Sequence, residues 1–151
     1  MDDVDVLIVG GGLVGASLAI ALDGSGLRVA LVEAAPPKVD MQPSYDERNL
    51  ALARASVNAL EALGVWAHCI RKIHVSRQRE FGVVRLDAAN HGLESFGATL
   101  PARELGNGLL ARVDECKSLL RFAPAKLEAF RVDGDAVMAT LATVQGTQTL
   151  R

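Results

Sequence analysis

The stretch from Val4 to Glu33 constrains the fold more than any other part of the chain. Val4, Val6, Leu7, Ile8 and Val9 make a short, nearly continuous apolar run, the pattern of a strand covered on both faces of a parallel sheet. Gly10-Gly11-Gly12-Leu13-Val14-Gly15 follows as a turn, Ala16 to Asp23 reads as a helix, and Leu27 to Glu33 reads as a second strand. Gly24 and Gly26 stop the helix between them. A strand, a glycine turn, a helix and a second strand closed by an acid together propose a dinucleotide site.

Each position has a physical reason. Gly10 allows the tight turn out of the strand, and Gly12, lacking a side chain, lets the backbone approach a pyrophosphate. The N–H groups of its neighbours Leu13 and Val14, at the start of the helix, can donate to phosphate oxygens. Gly15 lets the helix lie close against the sheet, Ala19 keeps the same face small, and Leu18 and Leu22 are expected to fill the rest of it. Glu33 falls where a carboxylate can accept hydrogen bonds from both hydroxyls of an adenosine ribose. Its charge also disfavours a 2′-phosphate, and with it NADP at this site.

A chain of 151 residues has room for one domain with a real core and is short for a two-domain enzyme. Half of its residues are hydrophobic, 23% are charged and the net charge is -2, so there is no basic footprint and no nucleic-acid partner is expected. Hydropathy alone could mistake Val4 to Leu22 for a membrane span or a signal peptide, but Asp5 and the glycines interrupt it, and Met1-Asp2-Asp3 is acidic where a signal would be basic. A soluble cytoplasmic protein is expected, with a peripheral contact at the inner membrane left open. Cys69 and Cys116 have no paired spacing, and His68, His74 and His91 are scattered. Ordinary reduced thiols and no metal site follow.

Ala34 to Glu47, with Pro36, Pro37 and Pro43, reads as a loop long enough to act as a lid. A helix is expected from about Ala51 to Leu63, closed by Gly64, which puts Arg48 just before a helix N-terminus. A guanidinium there can pair with a pyrophosphate or a flavin carbonyl, or act as a surface charge balanced by Asp46 and Glu47. Ile73 to Ser76 and Phe81 to Leu86 read as short strands around a polar turn, and Asp87 to Leu100 as irregular. A helix over Ala102 to Ala111, extending toward Leu119, precedes three strands at Phe122 to Val132, Val137 to Thr143 and Thr147 to Arg151.

With these residues placed, the sequence resembles the single-component FAD monooxygenases that hydroxylate aromatic rings, and most of all their ubiquinone-biosynthesis branch, the 2-polyprenyl-6-methoxyphenol hydroxylases. The likeness rests on Val6 to Gly15 with Ala19 and Glu33, on Asp46-Glu47-Arg48-Asn49-Leu50-Ala51-Leu52, and on Leu63-Gly64-Val65-Trp66 followed by Ile73-His74-Val75-Ser76 and Phe81-Gly82. It implies an α/β fold: a Rossmann-like FAD-binding domain with a parallel sheet, a β-meander and short extra strands. It also implies phosphate contacts at Gly10, Gly12, Leu13, Val14 and Gly15, a ribose contact by Glu33, an FAD contact by Arg48 and, on a looser alignment, an approach of Asn107 to the flavin.

Enzymes of this kind form no covalent adduct with a side chain, so no catalytic residue is assigned. FAD, reduced by NAD(P)H as a transient donor, works with dioxygen on a phenolic ring that here would be prenylated, while the protein positions the substrate and excludes water. The resemblance further implies that residues 1–151 are a single, truncated FAD-binding domain, without the substrate domain and C-terminal region of the family. In a 3-2-1-4 sheet the strand at Val4 to Val9 would then be an open edge, prone to self-association. Contact with a membrane or a biosynthetic complex is left open. The alternatives are an inactive, truncated nucleotide-binding module and another FAD oxidoreductase such as an amine oxidase. A disulfide reductase is disfavoured by the lack of a CxxxxC pair, and an NAD-dependent dehydrogenase leaves the Arg48 segment unexplained.

Overall fold

The computed structural model describes residues 3–35, 48–65 and 68–151. In chain order the elements begin with β1 (Val6–Val9), α1 (Leu13–Leu22), β2 (Val29–Val32), β3 (Asn49–Ala53), α2 (Arg54–Ala62), β4 (His68–Ile70) and β5 (Lys72–Ser76). They continue with β6 (Val83–Asp87), a 3-10 turn (Ala88–His91), β7 (Gly97–Pro101), α3 (Ala102–Glu115), β8 (Leu120–Phe122), β9 (Ala125–Asp133), β10 (Ala136–Thr143) and β11 (Gly146–Leu150). The chain divides into two compact units, one of residues 1–45 with 106–151 and one of residues 46–105.

The first unit carries a parallel sheet in the order β1-β2-β8, with Val6 opposite Val29, Val9 opposite Val32, and Val32 opposite Phe122. All four residues of β2 are buried, as a central strand covered on both faces requires. Among the described residues β1 is an edge of this sheet, the position expected of Val4 to Val9 in a 3-2-1-4 order without the fourth strand. The antiparallel meander β9-β10-β11 bulges between Thr140 and Leu141. Ala30 and Val32 pack with Ala125, Leu141 and Leu150, and the partly buried Val4, Leu7, Phe122 and Leu127 complete this core.

α1 starts at Leu13, three residues before the boundary at Ala16 that the sequence suggests. Gly12 is its N-cap, in extended conformation and with no side chain to cap with, so the helix opens directly out of the glycine turn. The face toward the sheet is made by Ala16, Ala19 and Ile20. Leu18, expected there, is 46% exposed and Leu22 only half-buried, because the buried face of the helix runs through Ala16, Ala19 and Ile20 instead. Asp5 and Arg28 brace the start of the paired strands: the Asp5 carboxylate accepts the Arg28 N–H at 2.7 Å and is salt-bridged to its guanidinium. Those hydrogen bonds hold the Asp5 pKa below the usual carboxylate value.

In the second unit β7 is the middle of an antiparallel sheet in the order β3-β7-β4, with α2 packed on it through the buried Val57 and Leu60. Two expectations are corrected here. Ala51 to Ala53, expected to begin a helix, instead end the strand Asn49–Ala53, whose alternating apolar positions pair with Gly97 to Pro101, and the helix starts at Arg54. Asp87 to Leu100 is ordered, with the 3-10 turn capped by the Asp87 carboxylate and closed by Gly92 at φ +67°, followed by β7. Gly97 sits against β3, where a Cβ would meet the Leu52 carbonyl oxygen, which fixes glycine at that register. Gly64 ends α2 at φ +78° as anticipated, and β5 and β6 form the expected hairpin. The proposed lid lies outside the described residues from Pro36 onward, as do Asp46, Glu47 and Trp66.

Candidate functional site

The glycine loop sits between the end of β1 and the start of α1. Gly10 has φ +101°, a conformation L side chains rarely adopt, and its N–H donates to the Val32 carbonyl at 2.8 Å, so the turn remains tied to β2. Gly15 is glycine for a different reason. A Cβ there would run into the Gly10 carbonyl oxygen and lie 3.3 Å from Ile8 Cγ2, so the first turn of α1 and the end of β1 touch backbone to backbone.

The first intrahelical bond in α1 is Ala16 N–H to the Gly12 carbonyl, at 2.9 Å. The N–H groups of Leu13, Val14 and Gly15 therefore have no carbonyl acceptor within the helix. No side chain caps them and no acid occupies the first turn, so the positive end of the helix dipole is not answered from within α1. A Cβ built at Gly10 or Gly12 meets nothing within 4 Å. Backbone donors left over at a helix start next to a loop free of side chains suit a pyrophosphate.

Glu33 stands beside this loop. Its backbone is fixed twice, N–H to the Phe122 carbonyl at 2.9 Å and carbonyl to the Ala125 N–H at 2.8 Å. Its Oε2 accepts the Gly11 N–H at 2.6 Å and its Oε1 accepts the Ala35 N–H at 2.8 Å. A carboxylate offers about four acceptor sites, so each oxygen keeps capacity for a ribose hydroxyl. The residues present thus fit an adenine dinucleotide: donors for its phosphates, open space above two glycines, and an acid for its diol. Gly11 was missed by sequence reasoning, because the GxGxxG spacing leaves that position free; a third glycine there was the available signal.

Gly10, Gly12, Leu13, Val14, Gly15 and Glu33 are thus brought together in the first unit. Arg48 belongs to the second unit, where it is exposed at the head of β3 and its carbonyl accepts the Ala102 N–H at 3.0 Å. It precedes a strand, so the expected helix N-terminus beside it is corrected. Asn107 lies exposed within α3, five residues into that helix and not at its start, and no described hydrogen bond joins it to the glycine loop. No cluster of metal-ligating side chains occurs among the described residues. No helix among them is long and apolar enough to cross a membrane.

The sequence profile of the FAD binding domain matches residues 3–151. The chain belongs to this family. FAD is accordingly the cofactor of the domain. The ubiquinone hydroxylase UbiL of Rhodospirillum rubrum is 31% identical over 150 residues, covering 93% of this chain. The 3-demethoxyubiquinol 3-hydroxylase of Escherichia coli is 45% identical over 65 residues, or 41% of this chain. The chain spans about a third, 34%, of the Rhodospirillum relative.

Among solved structures, the FAD-binding domain is similar in fold to the p-nitrophenol 4-monooxygenase PnpA of Pseudomonas putida. The TM-score is 0.79 at 22% identity, over all of this chain and 40% of that one. It is also similar to PqsL, a probable FAD-dependent monooxygenase of Pseudomonas aeruginosa. There the TM-score is 0.78 at 23% identity, over 99% of this chain and 40% of that one.

Proposed function

We propose that this domain is the amino-terminal FAD-binding part of an NAD(P)H- and O2-dependent monooxygenase that hydroxylates a polyprenylated phenol in ubiquinone biosynthesis. The observation that carries the reading is the glycine loop: the N–H groups of Leu13, Val14 and Gly15 have no acceptor within α1, the space around a Cβ at Gly10 and Gly12 is open, and the Glu33 carboxylate is hydrogen-bonded to Gly11 between them. The names of the relatives, ubiquinone hydroxylases from different bacteria, support the substrate class.

In this reading Gly10 and Gly12 let the backbone come within hydrogen-bonding reach of the pyrophosphate, and the α1 N–H groups neutralise its charge. Glu33 accepts the ribose hydroxyls and repels a 2′-phosphate. Arg48 donates to the flavin side of the cofactor, and Asn107 offers an amide near it. The bound FAD supplies redox chemistry with dioxygen that no side chain provides.

The test is NAD(P)H oxidation by the protein that carries this domain, with and without a prenylated phenol. Stimulation by the phenol, with a hydroxylated product, supports the reading; a protein that binds NAD and never FAD refutes it. Self-association is favoured by one separate observation. Among the described residues β1 is an edge strand, and a groove of about 580 Å³ beside it is lined by Val4, Leu7 and Leu150 together with the charged Asp5, Arg28 and Arg151. Light scattering on the 151-residue chain reads this directly, and a clean monomer would rule it out.

A further inference from the structure

The Glu33 carboxylate makes two hydrogen bonds of its own in this structure. With one oxygen on the Gly11 N–H at 2.6 Å and the other on the Ala35 N–H at 2.8 Å, it joins the glycine turn to the chain leaving β2. The bond to Gly11 spans 22 residues of sequence and is shorter than the usual 2.9–3.0 Å for an N–H donor. Hydrogen bonds to an ionised acceptor are the strong kind. The backbone of Glu33 is itself pinned to Phe122 and Ala125, so the carboxylate is a fixed post and the loop is the part it restrains.

Gly11 admits this contact. A Cβ at that position would lie 3.1 Å from Glu33 Oε2 and 3.3 Å from Glu33 Cβ, closer than side-chain atoms normally approach. Gly10 and Gly12 meet nothing within 4 Å on the same test, so the loop carries glycine at 10 and 12 for conformation and ligand space and at 11 for Glu33.

We propose that Glu33 is a positioning residue for the phosphate-binding loop, acting through Gly11, in addition to any contact with ribose. This deepens the FAD-binding reading and rests on it for the ligand. The latch itself is a property of the ligand-free chain. A role confined to ribose would vanish with a ligand that has no ribose hydroxyls, whereas a latch on the loop persists, because the Leu13, Val14 and Gly15 donors are displaced whichever sugar follows.

The experiment has two arms on the 151-residue chain. In the first, amide exchange and proton shift of Gly11 are read by NMR without ligand in wild type, Glu33→Gln and Glu33→Asp. The Gln variant turns one acceptor oxygen into an amide donor, and the Asp variant keeps the charge but withdraws the oxygens by one methylene. The expected result is a protected, downfield Gly11 amide in wild type whose exchange accelerates about tenfold or more in either variant.

In the second arm, ADP and 2′,3′-dideoxy-ADP are titrated. Glu33→Gln should weaken the dideoxy compound about five- to tenfold, the loss expected when one hydrogen bond no longer orders the donors. The proposal is overturned by a Gly11 amide that exchanges like its neighbours in wild type, or by a Gln variant that weakens ADP and leaves dideoxy-ADP unchanged. If neither nucleotide binds wild type, the nucleotide reading fails, and the exchange arm still decides the latch. Should Glu33→Gln fail to fold, Glu33→Asp carries both arms.

Discussion

Replacing Gly15 by alanine separates the packing role of the loop from its ligand role. The added Cβ would collide with the Gly10 carbonyl oxygen and sit 3.1 Å from the Gly10 carbonyl carbon and 3.3 Å from Ile8 Cγ2. Relief must come from backbone, since Gly10 is held by its N–H on the Val32 carbonyl at 2.8 Å and cannot withdraw without weakening that bond. Overpacking of this kind costs about 1–3 kcal/mol. Alanine in a helix returns about 0.5–1 kcal/mol relative to glycine. The balance is a destabilisation of up to about 2.5 kcal/mol, a fall of up to about 10 °C in Tm for a chain of this size. The displaced first turn should also lower FAD affinity by about tenfold or more, as its N–H groups leave alignment.

Gly12→Ala is the companion variant. It has φ -69°, which alanine adopts freely, and its Cβ meets nothing within 4 Å. Stability should change by less than about 0.5 kcal/mol, as for a surface substitution, while FAD affinity falls because the methyl occupies ligand space. Calorimetry and flavin-fluorescence titration read the two quantities separately. The reasoning is refuted if Gly15→Ala matches wild type in both, or if Gly12→Ala loses stability and keeps its flavin.

Other outcomes follow from other parts of the fold. Leu141→Ala removes a fully buried side chain from the core between β2 and the meander, and chemical denaturation should show a loss of about 2–5 kcal/mol. Cys116 donates to the Arg112 carbonyl and burial pushes its thiol pKa up, whereas Cys69 is exposed, so a thiol reagent at neutral pH should label Cys69 first. Asp5, Asp23 and Asp87 have lowered pKa values through hydrogen bonds from Arg28, Ser118 and the Ala89 N–H respectively. A depressed carboxylate contributes stability above its unfolded pKa and loses it as pH falls through the folded one. Melting temperature should therefore hold down to about pH 4 and decline below it, and Asp23→Asn should flatten part of that decline.

The first unit was legible because its constraints are local in sequence. An apolar run, a glycine turn and an acid between Val4 and Glu33 leave few arrangements, and the turns at Gly134 and Gly146 mark the meander, each with positive φ. The second unit was less so. Asn49 to Ala53 carries leucines and alanines that favour a helix on their own, and only its partner β7, far along the chain, makes it a strand. The place of Glu33 at the end of β2 was readable from the pattern of two strands around a glycine turn. Its bond to Gly11 was not, because the spacing rule says nothing of a side chain that reaches back across the loop. Arg48 was read from its place before an expected helix N-terminus as well as from resemblance, and that helix start proved to be a strand; Asn107 was drawn from resemblance alone.

The central claim is that the loop from Gly10 to Gly15, with Glu33, binds the adenine dinucleotide end of FAD. Equilibrium titration of the chain with FAD, followed by flavin fluorescence and repeated with ADP and NAD as competitors, tests it most directly. The account predicts saturable binding of one FAD per chain, displaced by ADP and abolished or weakened at least tenfold by Gly15→Ala. Binding of NAD with no binding of FAD, or FAD binding indifferent to both ADP and Gly15→Ala, would contradict it.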